Sequence, residues 1–138
     1  VGLPTNVWAV REMLPTTRYF VAETYGDLPI SKEVRGFIKD GGIQCIHPYW
    51  TKQSVMNGIR KPSESVELVY EAMCELSESD NSQIQSILVK TAEIFEGYWS
   101  VDLLKSSFGR WYLIDMAEGS RSFHWAECHK NSLGVGNE

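Results

Sequence analysis

Residues 98–116 read YWSVDLLKSSFGRWYLIDM, two runs of aromatic and branched side chains around a polar stretch. Tyr98 to Leu104 and Arg110 to Met116 predict two strands of a hairpin closed by Lys105-Ser106-Ser107-Phe108-Gly109. Each run carries one aspartate, Asp102 in the first and Asp115 in the second. Aspartate is depleted in strand interiors, so two such placements need a reason. If the turn spans Lys105 to Arg110, Asp102 faces Leu113 and lies diagonal to Asp115. A two-residue shift sets the aspartates directly opposite. In both registers they share one face, roughly 5–8 Å apart. Like charges that close repel unless a cation joins them, and hard oxygen ligands suit magnesium. Glu118, just beyond the second strand, offers a third carboxylate. The plainer alternative is a solvated face, or ion pairs with Arg110 and Arg121.

A second hairpin is predicted upstream. Lys32 to Lys39 reads as a strand, Asp40-Gly41-Gly42 as a tight turn, and Ile43 to His47 as the return strand ended by Pro48. Glu33, Arg35 and Phe37 share one face; Val34, Gly36 and Ile38 share the other. Arg35 on a strand face presents a planar fork suited to phosphate, with a cross-strand ion pair or a surface position as the alternative. Gly36 marks either a bulge or a close backbone approach.

The rest of the chain completes the outline. Val7 to Leu14 reads as a short helix between the capping groups of Thr5 and Asn6 and the stop at Pro15. Tyr19 to Tyr25 reads as a strand closed by Gly26-Asp27, and Tyr49 to Pro62 as a polar loop with a short turn. Two helices follow. Val66, Val69, Tyr70, Met73 and Cys74 form the apolar stripe of the first, opposite a solvated acidic stripe. Asp80 with Gln83 resembles a capping box opening the second, whose stripe is Ile84, Ile87, Leu88, Ala92 and Phe95 and whose end is Gly97. Helix, three strands, two helices, two strands: the order predicts an α+β fold, an antiparallel β-sheet packed against two or three helices. One domain is expected over residues 1–131, with a Gly-rich polar tail over 132–138.

Composition sets outer bounds. With 138 residues the chain is the size of one domain, and 43% hydrophobic against 22% charged residues is the balance of a folded protein. The net charge of -5 argues against bulk nucleic-acid binding, which uses basic patches. No apolar run approaches the ~20 residues of a membrane span, so no membrane partner is expected. Cys45, Cys74 and Cys128 are odd in number and lack a paired spacing, which predicts reduced thiols and a cytoplasmic setting. Cys45, His47, His124, Cys128 and His129 include enough ligand types for zinc, but in no standard spacing. Core thiols and surface imidazoles explain them more simply.

Taken in order, these segments resemble the ATP-grasp enzymes. Val101-Asp102-Leu103-Leu104, then Ser106, Gly109 and Tyr112-Leu113-Ile114-Asp115, is similar to that family's metal-binding end, where a Val-Asp strand precedes a strand ending in Glu-x-Asn. Lys32-Glu33-Val34-Arg35-Gly36-Phe37-Ile38 with Asp40-Gly41 resembles its strand bearing an acid-x-Arg pair. The helix from Gln83 to Glu96 falls where the family has one, and Phe20-Val21-Ala22-Glu23 resembles the hinge strand whose backbone holds adenine. The likeness runs from about Tyr19 to Glu118.

The resemblance implies a C-terminal half of an ATP-grasp domain, with ATP and Mg2+ as cofactors. Asp102, Asp115 and Glu118 would hold magnesium, and Arg35 would contact a phosphate or a phosphorylated intermediate. Glu33 and the backbone of Phe20, Val21 and Ala22 would bind the nucleotide. Such ligases activate a carboxylate substrate as an acyl phosphate for attack by an amine or thiol. The half that covers the phosphates would precede Val1 or come from a partner subunit, and self-association into a homo-oligomer is a further expectation. Two positions depart from the pattern: Asp115 stands for the usual Glu, and Ala117 for the ligating Asn. Glu118, Ser120 or Ser122 would have to compensate. A non-catalytic interaction module retaining the fold is the alternative, and a two-carboxylate hydrolase is a third reading.

Overall fold

A computed structural model describes residues 6–128. Strands β1 (Phe20–Ala22) and β2 (Leu28–Ile30) form a short antiparallel ribbon. Strands β3 (Glu33–Lys39), β4 (Gly42–Pro48), β5 (Tyr98–Lys105) and β6 (Trp111–Glu118) form a four-stranded antiparallel sheet in the order β4-β3-β5-β6. Helices α1 (Lys52–Gly58), α2 (Val66–Cys74) and α3 (Glu78–Ile94) lie between β4 and β5 in the chain. The architecture is α+β, as the alternating and helical spacings predict. Both turns of the larger sheet rest on left-handed backbone: Asp40 and Gly41 at φ 48° and 87°, and Gly109 at 84°.

Helix α3 covers one face of the sheet. Its Ile84, Leu88 and Ala92 are buried against Val34, Ile38, Val101, Leu103 and Trp111. Gly36 permits this packing. A Cβ there would lie 2.7 Å from Leu88 Cδ1, well inside van der Waals contact. Gly36 is therefore a close approach, and a bulge lies immediately beside it, where β3 and β4 slip register between Phe37 and Ile38. A second, smaller core joins Ala22, Ile30, Val55 and Met73 and ties the β1–β2 ribbon to α1 and α2.

Several local expectations differ. No helix forms over Val7–Leu14; the segment is irregular, and Val7, Trp8, Val10 and Met13 are exposed. Eight residues without a buried stripe cannot offset the cost of helix nucleation. Its Arg11 Nη1 donates to the Ile114 carbonyl of β6 at 2.6 Å, and Pro15 O, just beyond it, accepts from Ser107 N of the β5–β6 turn at 2.8 Å. The strand expected through Tyr25 stops at Ala22. A 3-10 turn follows, held to α1 by Thr24 Oγ1 donating to Asn57 O and Tyr25 Oη to Ser54 O.

The segment expected as a polar loop, Tyr49 to Pro62, contains α1. Thr51 caps it, accepting from Ser54 N, and Val55 is its buried side chain. The N-cap of α3 lies three residues before Asp80, the cap expected from the Asp80–Gln83 pair. Ser77 is the N-cap and Asp80 its N3 partner, a true capping box. The helix ends at Ile94, leaving Phe95 41% exposed, so Gly97 belongs to the link into β5 rather than to the helix end.

The cysteines correct another expectation. Cys45 and Cys128 pair as a disulfide, their Cα atoms 6.0 Å apart and 83 residues apart in sequence. Spacing along the chain could not show this, because the segment after β6 meets β4 only in the folded chain. Cys74 is a free thiol. His129 and the tail over 132–138 lie outside the described residues.

Candidate functional site

The sheet face away from α3 carries the polar residues. Residues that pair across neighbouring strands share a face, and the pairs His47–Arg35, Arg35–Asp102 and Asp102–Asp115 make one row across all four strands. Asp102 and Asp115 meet head-on because β6 bulges: Leu103 pairs with Leu113, whereas Asp102 pairs with Asp115, leaving Ile114 unmatched. The direct opposition expected from a two-residue shift is reached through this bulge.

Arg35 closes on Asp102. Its Nε donates to Oδ1 at 2.7 Å and its Nη2 to Oδ2 at 2.9 Å, a bidentate pair between side chains only 14% and 8% exposed. Nη1 donates to the Phe123 carbonyl at 3.2 Å, and the guanidinium lies 4.9 Å from the Tyr49 ring centroid. The bond to Asp102 raises the Arg35 pKa further still. The cross-strand ion pair considered for Arg35 is thus formed with Asp102, which pairs with Arg35 rather than with Arg110 or Arg121. Asp115, beside it, is exposed.

Glu33 lies two residues before Arg35 on the same face. Burial pushes its carboxyl up to about 7, with Asp102 adding to the rise; the Trp50 Nε1, 3.5 Å from Oε1, opposes it. His47, at the other end of the row, goes the opposite way. Burial lowers it to about 4. Its Nδ1 meets Pro48 O at 2.7 Å, and its Nε2 accepts from Trp125 N at 3.4 Å. Beside the row, Arg35, Tyr49, Trp50, Thr51, Ser54 and Phe123 line a cleft of about 330 Å³.

The structure brings together Glu33, Arg35, Asp102 and Asp115. It does not bring Glu118 to them. Glu118 pairs with Trp99 on β5, three positions along β6 from Asp115, and so faces the α3 side, where Trp99 and Met116 pack. Its partner is Arg121 at 3.1 Å. Phe20, Val21 and Ala22 belong to the separate β1–β2 ribbon, their pairing taken up by Ile30, Pro29 and Leu28. Trp50 bridges the two regions, packing on the ribbon's core while its indole points to Glu33.

Sequence reasoning missed Tyr49, Trp50 and Phe123. The adjacent aromatic pair after Pro48 was the available signal, hidden by reading the segment as a polar loop.

Chemically, the row offers hard oxygen donors and a fixed cation on one surface. Magnesium is held through one or two carboxylates, with water and phosphate completing its shell. Asp102 and Asp115 match that donor set: bidentate contact with Arg35 leaves each Asp102 oxygen a further lone pair. A scan against protein-family models found no match, and a search of curated proteins found none either.

Proposed function

We propose that this chain supplies the Mg-ATP-binding face of an ATP-grasp-type ligase, one that activates a carboxylate as an acyl phosphate for attack by an amine or thiol. The observation that carries the reading is the Asp102–Asp115 opposition beside Arg35, on the face opposite helix α3. The order of the segments from Tyr19 to Glu118, similar to that family, supports it. In this reading Asp102 and Asp115 hold the magnesium, without Glu118. The Arg35 guanidinium, already oriented by Asp102 and Tyr49, stabilises transferring phosphate charge by position and electrostatics. Glu33 and Trp50 border the nucleotide side. A second half, covalently upstream or in a partner subunit, closes over the phosphates, and a cytoplasmic setting, where ATP is abundant, belongs to the same proposal. Among the described residues no helix is long and apolar enough to cross a membrane.

Calorimetric titration of the longest natural form of the chain with ATP, with and without Mg2+, tests this. Magnesium-dependent binding is expected, lost in Asp102→Asn/Asp115→Asn and weakened in Asp115→Asn alone. Unchanged affinity in the double variant would sink the metal assignment.

Two observations favour a second reading, a non-catalytic docking module. Ala117 takes the place of a ligating side chain, and Trp8, Met13, Phe108 and Phe123 are exposed apolar groups of the kind that anchor partners. Light scattering separates the two: concentration-dependent association without nucleotide binding supports docking.

A further inference from the structure

We propose that Cys45, His124 and Cys128 form a zinc site whenever the two cysteines are reduced. Their three ligand atoms lie within 4.8 Å of one another. Cys45 comes from β4 and the other two from the segment after β6, so the site joins parts of the chain that no local spacing connects. His124 Nε2 stands 2.8 Å from Cys45 Sγ. A disulfide alone needs no imidazole nitrogen on its sulfur; a Cys2His set does, and it is an established zinc ligand type that leaves a fourth position for water or another ligand.

The surroundings fix the ligands. The His124 ring is stacked on Phe37 with centroids 3.9 Å apart, and Cys45 and Cys128 are buried with Phe37 beside Tyr98 and Trp125. His47 does not join the set. Its Nε2 accepts from the Trp125 amide, which holds the ligand-bearing segment from the side. Soft thiolates select zinc over magnesium, so this site is chemically distinct from the carboxylate row, although both lie on the same face of the sheet. The cysteine row runs Cys45, Phe37, Ser100, Ala117, adjacent to the row of Arg35 and Asp102.

Disulfide and zinc use the same sulfurs and exclude each other. A phosphine and one water convert the disulfide to two thiols, the phosphine leaving as its oxide. Zinc then binds with loss of one proton from each thiol, and His124 coordinates through a neutral ring nitrogen. In either form the clasp ties the segment after β6 to β4, and that segment supplies the Phe123 carbonyl to Arg35.

The test uses the full chain in a Cys74→Ser background, so that only two thiols remain. After anaerobic reduction with a phosphine and desalting, it is titrated with Co2+ and then Zn2+. One cobalt per chain is expected, with a sulfur-to-metal charge-transfer band that zinc abolishes and with both thiols protected from alkylation. Cys128→Ser loses the band. His124→Gln, which keeps both thiols and can still form the disulfide, loses stoichiometric zinc binding at unchanged circular dichroism. A reduced and folded chain that shows no charge-transfer band overturns the proposal, as does a His124→Gln chain that binds zinc as tightly as its parent.

Discussion

Asp102 and Asp115 stand directly opposite each other across β5 and β6, and Arg35 grips only Asp102. The two carboxylates therefore differ in environment although they differ little in sequence context. One is buried and paired; the other is exposed and available.

That asymmetry predicts unequal costs. Removing Arg35 strands a carboxylate of which only 8% is exposed, and breaking such a pair costs about 3 kcal/mol. Urea denaturation of Arg35→Ala should show a loss of that order, and Arg35→Met/Asp102→Leu should recover most of it. Asp115→Asn should change stability by less than about 0.5 kcal/mol, as surface substitutions do. A neutral Arg35→Ala would show that the pair is not desolvated.

Gly36 is held by contact with α3 rather than by a special backbone angle. Gly36→Ala places a methyl 2.7 Å from Leu88 Cδ1, and overpacking of this kind costs about 1–3 kcal/mol. Trimming Leu88 to Ala in the Gly36→Ala chain should cost less than the same change in the parent, because the new methyl occupies part of the cavity. Strict additivity in this cycle would contradict the close approach.

Glu33 and His47 give the stability profile two opposing slopes. The Glu33 carboxyl, raised from 4.5 to about 7, binds its proton more tightly in the native state, so its contribution to stability falls as pH rises from 4.5 through 7. His47, lowered from 6.5 to about 4, binds its proton more tightly when unfolded, so stability rises across that window. Glu33→Gln should therefore be more stable relative to the parent at pH 8 than at pH 4.5, by roughly 2 kcal/mol after allowance for solvent screening. Parallel profiles for variant and parent would refute the assignment.

Asp80 joins the helix to the sheet. It caps α3 through Ser77, pairs with Lys105 at 2.8 Å and accepts from the Trp111 indole at 2.9 Å. Burial alone would raise its pKa, but Lys105, Trp111 and the Ser77 cap together hold the carboxyl well below its usual range. Asp80→Ala should cost about 2–4 kcal/mol at neutral pH. The deficit should hold down to the ordinary value of 3.8 and shrink as pH falls below it. An undiminished deficit in strong acid would mean that the charge is not what stabilises.

Much of the candidate site is legible in the sequence. Aspartate in two strand-forming runs, and Glu33 and Arg35 spaced by two, place four polar side chains on sheet faces through nothing more than the pleat. Glu118 was misplaced for the same reason: three residues beyond Asp115 is an odd step, and odd steps cross the sheet. Tyr49 and Trp50 carry no such signal because they lie in the irregular link between β4 and α1, where no period marks a face.

The sequence by itself determined the local terms: two hairpins, their turns, the apolar stripe of α3 and which residues alternate together. These follow from backbone sterics and side-chain periodicity over a few neighbours. Only the tertiary structure decided the rest. The bulge that sets Asp102 against Asp115, the grip of Arg35 on a carboxylate 67 residues away and the meeting of Cys45 with Cys128 across 83 residues are non-local. They depend on strand order and register, which the packing of α3 against the whole sheet selects.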